Sequence, residues 1–357
     1  MTTAQHVLYA GSYAAPAQAG IYAFTFDAAT SVLTPRGSLA GIANPSFIAL
    51  HPNGRWLYAV SETSVEQEGV PGAVWSVGCT REPWGLTAIN QQASGGDWPC
   101  HLVIHSTGRW LVVSNYASGT VGVFPILADG ALGAMSDLVR HTGSGPHPVR
   151  QQGPHTHSAT FTPDERFVIV SDLGLDALAV YAFDPAAGRL QAHMQVATRP
   201  GAGPRHMAFH PNGERLYVAN ELDNTVAVYD YDATRGALQA GQILDTLPPG
   251  APESTVADIH ITPAGDRLYV SNRGYDSVAV FDVGADGQLA PVAIRPCGGQ
   301  WPRNFAIAPG GRFLLVANQY SDTIATLPVV AGAEALGAPA AQTAVPGASC
   351  VQFIAPD

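Results

Sequence analysis

RHMAFHPNGERLYVANELDNTVAVYD, residues 205–230, reads as a short apolar strand, a turn built on Pro-Asn-Gly, an aromatic and β-branched second strand, and a third strand after Asp-Asn. The rest of the 357-residue chain repeats it. FIALHPNGRWLYAVSE (47–62), LVIHSTGRWLVVSNY (102–116), ATFTPDERFVIVSDL (159–173), IHITPAGDRLYVSNR (259–273) and FAIAPGGRFLLVANQ (305–319) match the first two strands. GTVGVFPI, DALAVYAF, DSVAVFDV and DTIATLPV match the third. The copies start roughly fifty residues apart, and units of that length made of three or four strands are the mark of propeller blades.

The chain ends supply a seventh copy. SCVQFIAPD (349–357) reads as a first strand and HVLYAGSY (6–13) as a second. Pairing them in one sheet closes the ring and hides two edges that would otherwise invite aggregation. The expectation is an all-β, seven-bladed β-propeller, one domain over residues 1–357, with the Gly/Ala/Pro-rich stretches 240–256 and 331–347 as loops between blades.

Composition narrows the partners. Hydrophobic residues make up 46% and charged residues 13%, with 38 Gly and 28 Pro, as suits a turn-rich folded chain. The net charge of −11 repels phosphate backbones and anionic membranes, so neither nucleic acid nor a membrane surface is expected to bind. All 17 basic residues are Arg, which excludes Schiff-base chemistry on lysine and leaves the guanidinium fork as the permanent cation for carboxylate or phosphate. Cys79, Cys100, Cys297 and Cys350 show neither disulfide nor metal-ligand spacing, so no metal is expected. The opening MTTAQHVLYAGSY has no basic segment and no apolar run of signal length, which points to the cytoplasm.

The repeats separate punctuation from chemistry. A residue that recurs at one blade position serves the blade, while an odd polar residue at a variable position serves a site. His51, His105 and His210 all precede the first turn, where other copies carry Thr162, Thr262 and Ala308, and are read as turn caps. Ser12, Ser61, Asn115, Asp172, Asn220, Asn272 and Asn318 recur at the end of strand two and are read as turn formers. The next column is Tyr13, Glu62, Tyr116, Leu173, Glu221, Arg273 and Gln319, a mixture that no blade rule selects. The opening positions of strand one are equally irregular: Pro45-Ser46, Cys100-His101, His155-Thr156-His157, Arg205-His206, Asp258-Ile259-His260 and Arg303-Asn304. In a propeller both columns converge on one mouth of the axial channel. A net-acidic chain has little reason to gather Arg205, Arg273 and Arg303 there without an anionic ligand.

At the level of whole motifs, GPHTHSATFTPDERFVIVSDLGLDALAVY, GAGPRHMAFHPNGERLYVANE, ADIHITPAGDRLYVSNR and WPRNFAIAPGGRFLLVANQ resemble the lactonase family of seven-bladed propellers, over essentially the whole chain. That family includes bacterial cycloisomerase-type 6-phosphogluconolactonases and fungal carboxy-muconate lactonizing enzymes. The resemblance implies a hydrolase of carbohydrate metabolism, in the pentose phosphate pathway, working on a sugar-acid lactone without a cofactor. It further implies that His157 of HSA, Arg205 of PRH, Glu221 of NE and Arg273 of SNR carry the chemistry.

Opening a lactone with water needs a base, a donor for the tetrahedral oxyanion and a proton for the leaving alkoxide. His157 can be the base, with Glu221 orienting or replacing it, and Arg205 and Arg273 can hold the oxyanion. His101, His155, His206, Asp258, His260, Arg303, Asn304 and Gln319 are expected to contact the substrate, and the protein is expected to act as a monomer on a small anionic or sugar lactone. Three rivals stand beside this reading. One is a lactone-forming cycloisomerase acting on unsaturated diacids. Another is a non-enzymatic binding propeller, since LYVAN and NTVAVYD also resemble YVTN surface-layer repeats. The third is a calcium-dependent lactonase using Glu62, Asn115, Asp172 and Glu221 as oxygen ligands.

Overall fold

In a computed structural model that describes residues 5–354, the strands form seven four-stranded antiparallel sheets. Each sheet is one blade. The innermost strands are Ile48–Leu50, Pro99–Ile104, Thr156–Phe161, Pro204–Phe209, Thr255–Ile261, Pro302–Ile307 and Ala348–Phe353, and they define blades 1 to 7. Consecutive innermost strands touch all the way round, including Ala348–Phe353 against both Pro302–Ile307 and Ile48–Leu50.

Blade 7 closes as the terminal segments imply. Ala348–Phe353 pairs antiparallel with Gln5–Ser12, which then pairs with Ala19–Asp27. Ala355–Asp357 of the expected closing segment lie outside the described residues, as do residues 1–4.

The core lies between blades. Apolar residues on facing sheets interlock in six clusters, such as Tyr217, Val226 and Val228 of blade 4 against Ile259, Val270 and Phe281 of blade 5. A strand buried on both faces reads as an unbroken apolar run, and so LYVAN and FVIVS are continuous rather than alternating.

Two expectations about loops are corrected. Residues Ala237–Asp245 and Ala341–Ala344 are the fourth strands of blades 4 and 6, so the inter-blade loops are shorter than 240–256 and 331–347 suggest. These outer strands alternate exposed and partly buried positions and carry small or polar side chains, which hides their strand character in sequence.

The punctuation residues do what their recurrence implies. His51 and His210 accept from the Asn53 and Asn212 backbone N–H through Nδ1, and their Nε2 lies 3.0 Å from the carbonyls of Gly108 and Gly265 in the next blade. A Cβ on Gly108, which also has φ +68°, would meet the His51 ring at 2.3 Å, so this contact requires glycine. Asn115, Asn220 and Asn272 each donate to the hydroxyl five residues on, at Thr120, Thr225 and Ser277.

Candidate active site

A common irregularity of the innermost strands builds the site. In blades 2, 3, 4 and 6 the register slips at the mouth, leaving Cys100, His157, Arg205 and Arg303 as the extra residue of a bulge. In blade 7 the slip falls at Ser349, and in blade 5 the pairing skips Ala257 and Asp258. A bulge opposes two residues to one and re-aims a side chain, so one strand sends two successive residues to the axis. The carbonyl of Arg205 released by its bulge accepts from the hydroxyls of Ser158 and Ser171 in blade 3, at 2.6 Å each.

The upper of the two layers holds the four residues expected to carry the chemistry. Glu221 is its hub. One carboxylate oxygen accepts from Arg150 at 2.6 Å; the other accepts from Arg205 Nε at 2.9 Å, lies 3.0 Å from Arg273 and 3.9 Å from His157 Nε2. Arg205, only 2% exposed, also donates to the Ala257 carbonyl, and Arg273 donates to the Val256 carbonyl at 2.9 Å. Burial alone would raise the Glu221 pKa, but Arg273, Arg205 and Arg150 together hold the carboxyl well below the usual range. It is a fixed anion, and its low proton affinity makes it a weaker base than His157.

His157 has the opposite environment. Burial and then the charges of Arg205, His206, Arg303 and Arg273 push its pKa well below 6.5, so the ring is neutral. Its Nδ1 lies 3.9 Å from the Cys100 sulfur, and Tyr116 packs edge-on against the ring. His155 stacks on Tyr116 at 4.4 Å at the rim.

Arg205 and Arg273 are less available as oxyanion donors than their positions suggest, because Glu221 and a backbone carbonyl engage part of each guanidinium. Among the described residues, the buried Arg273 Nε has no partner, nor has Gln319 Oε1. Beside them, Glu62 accepts from Tyr13 at 2.7 Å and from Ser46, and stands 3.6 Å from Arg303, whose guanidinium lies over the Tyr13 ring.

The lower layer divides the expected substrate contacts between the mouth and a cavity beneath it. His206, Asp258 and Asn304 form the floor of the mouth: His206 Nδ1 lies 2.7 Å from Asp258, whose other oxygen accepts from Asn304 and lies 2.9 Å from His260 Nε2. His206 Nε2 faces Arg205 at 3.2 Å, so this ring is a neutral Nδ1–H tautomer, with its pKa lowered to about 4 by burial and Arg205. His101 and His260 line a cavity of about 420 Å³ beneath, together with Thr160, Phe209, Ile261 and Pro52, and Pro52 lies in a turn on the opposite face. His101 faces this cavity because the bulge at Cys100 puts it one step further along the strand, and His260 lies beyond the two residues that the pairing of blade 5 skips.

Arg150 is the residue that the repeats miss. It comes from the loop between the Asp137–Arg140 strand and Thr156, not from a blade column, and its only signal is the density of His and Arg in PHPVRQQGPHTH. The proposed calcium ligands do not converge: Glu62 and Glu221 hold arginines, Asn115 bonds Thr120, and Asp172 meets His141 at 2.6 Å. Among the described residues no group of three or more His, Cys, Asp or Glu is placed to hold a metal.

The model of the family described as "Lactonase, 7-bladed beta-propeller" matches residues 7–353. The chain belongs to this family. It is 35% identical over 317 residues to a 6-phosphogluconolactonase of Bacillus subtilis, covering 88% of each chain. A 6-phosphogluconolactonase of Formosa agariphila is 33% identical over 311 residues, covering 85% of this lactonase and 87% of the relative. The solved structure of a periplasmic gluconolactonase from Pseudomonas aeruginosa superposes with a TM-score of 0.93 at 33% identity over 99% of both chains.

Proposed function

We propose that this lactonase hydrolyses the lactone of a sugar acid, 6-phosphogluconolactone being the first candidate, with His157 as general base. The observation that carries the reading is a neutral imidazole set 3.9 Å from a carboxylate that three guanidiniums keep ionised. Water on the lactone carbonyl loses its proton to His157 as its oxygen bonds to carbon. The tetrahedral oxyanion is met by N–H groups left over from the Glu221 clamp, Arg273 Nε and the outer face of Arg150, whose side chain is 35% exposed. The imidazolium is stabilised by Glu221 and returns its proton to the ring oxygen as the C–O bond breaks, giving the open acid. No cofactor enters these steps.

This places the protein in carbohydrate metabolism, in the pentose phosphate pathway if the phosphorylated lactone is its substrate. Four free cysteines, three of them buried, suit the reducing cytoplasm. The protein is proposed to work as a monomer.

The test is hydrolysis of 6-phosphogluconolactone and glucono-δ-lactone by purified protein, measured against the spontaneous rate near neutral pH. Acceleration that disappears in His157→Ala is expected. Wild-type protein that leaves both lactones at their spontaneous rate overturns the reading.

A further inference from the structure

We propose that Arg303, laid on the ring of Tyr13, is the specificity-determining residue of the mouth and takes a phosphate monoester on the lactone. The inference rests on the lactonase reading and adds to it the group that reads the charged end of the substrate.

The four arginines of the mouth are not equivalent. Arg205 and Arg273 are held by Glu221 and by the Ala257 and Val256 carbonyls, and Arg150 by Glu221 and the Tyr116 hydroxyl. Arg303 alone makes no hydrogen bond among the described residues, although its side chain is only 18% exposed. Its nearest carboxylate, that of Glu62, gives its hydrogen bonds to other donors. Tyr13 and Ser46 both donate to Oε2 of Glu62, and Arg303 stands 3.6 Å from Oε1, beyond hydrogen-bond range.

A nearly buried guanidinium with undischarged N–H groups is costly unless an anion completes it. The guanidinium carbon is 4.9 Å from the centre of the Tyr13 ring, so the fork is fixed against an aromatic face. Fixed in this way, its parallel N–H groups match the oxygens of a phosphate or carboxylate two at a time. Charge and the number of acceptor oxygens favour the phosphate. The mouth holds four guanidiniums against the carboxylates of Glu62, Glu221 and, in its floor, Asp258, with His157 and His206 neutral, so positive charge is in excess. A phosphate monoester carries about −1.5 to −2 at neutral pH and three acceptor oxygens, and so offers the free fork more charge and more acceptors than a carboxylate.

Arg303 also belongs to the same site as the base. Its charge is among the causes that lower the pKa values of His157, Arg205 and Arg273, and it shares with Arg205, Cys100, Glu62 and Ser46 the small cavity at the mouth.

The experiment compares wild type, Arg303→Gln and Arg303→Lys on 6-phosphogluconolactone and glucono-δ-lactone, and measures binding of the stable acids 6-phosphogluconate and gluconate by calorimetry. Loss of a charged, bidentate contact is expected to raise KM for the phosphorylated lactone in Arg303→Gln by roughly 10- to 100-fold. The loss on the plain lactone is expected to be smaller, so that the ratio of kcat/KM for the phosphorylated over the plain lactone falls by about tenfold or more, and Arg303→Lys recovers part of that ratio. Equal losses on both lactones, or an unchanged KM for the phosphorylated one, overturn the proposal. If wild type hydrolyses neither lactone, the lactonase reading fails and calorimetry still decides this one: 6-phosphogluconate must bind more tightly than gluconate, and the preference must fall in Arg303→Lys even if Arg303→Gln does not fold.

Discussion

His157 Nε2 lies 3.9 Å from the Glu221 carboxylate, close enough for charge attraction and too far for a hydrogen bond. The imidazole is therefore free to accept a proton and finds an anion beside it once it has done so. Because burial and neighbouring arginines depress its pKa well below 6.5, the neutral, active form of the free enzyme persists into mild acid. The kcat/KM profile for lactone hydrolysis is expected to stay flat from pH 8 through 6.5 and to fall only clearly below that. His157→Asn should lose about 10²- to 10⁴-fold in kcat. An acidic limb near pH 7 would show that another group titrates.

Glu221 tests the difference between a base and an organiser. Glu221→Gln removes the anion that Arg150, Arg205 and Arg273 share and leaves buried guanidiniums unpaired. Breaking a buried ion pair in this way costs about 3 to 5 kcal/mol, so urea unfolding should shift to clearly lower concentration as activity is lost. A variant that is inactive but as stable as wild type would restore Glu221 to the role of base.

The ring could be read from the sequence because its punctuation repeats. HPNG, the LYVAN strand and the Asn or Ser at its end recur, and so the odd column of Tyr13, Glu62, Tyr116, Glu221, Arg273 and Gln319 stood out. The bulge was not legible, since nothing in PRH or THS distinguishes a strand that alternates from one that sends two consecutive side chains to the axis. That single register slip separates Arg205 at the mouth from His206 in its floor, and a like slip sets His101 against the cavity below. Arg150 stayed hidden because a loop belonging to no repeat delivers it.

Asp258 offers a test of that floor. It fixes His206 as the tautomer whose Nε2 faces Arg205, and it joins His260 and Asn304 to the same network. Asp258→Asn should disturb Arg205 without touching substrate, and a displacement of about 1 Å can cost about 10²-fold in rate. A large fall in kcat with little change in KM is expected, whereas a raised KM with normal kcat would return Asp258 to substrate binding.

Acid should weaken the fold through the same residues. His101, His157 and His206 are held neutral below their ordinary pKa, chiefly by burial, so the unfolded chain takes up protons near pH 6.5 that the folded chain refuses. Stability then falls as pH drops from 6.5 toward about 4, the folded value for His206. Glu221 and Asp258, both lowered by their cationic partners against burial, extend the loss at still lower pH. His260 acts in the opposite sense: Asp258 raises its pKa despite burial, and its contribution is present below 6.5 and lost at higher pH. Three imidazoles against one give a net loss, each unopposed proton contributing up to about 1.4 kcal/mol per pH unit. Urea midpoints measured from pH 8 to 4.5 should decline below 6.5; a level series would mean these histidines are charged in the folded protein.

The closing blade also dictates a schedule. Its second strand, Gln5–Ser12, is synthesised before the other six blades, and its innermost strand, Ala348–Phe353, after them. A nascent chain can stack those six blades in the order of synthesis, yet the earlier strands must wait with one flank unpaired until all six have been made. The interval in which that flank is open to other chains is set by elongation speed, so slower decoding of the last blade would raise aggregation in the cell without altering a single contact of the finished ring.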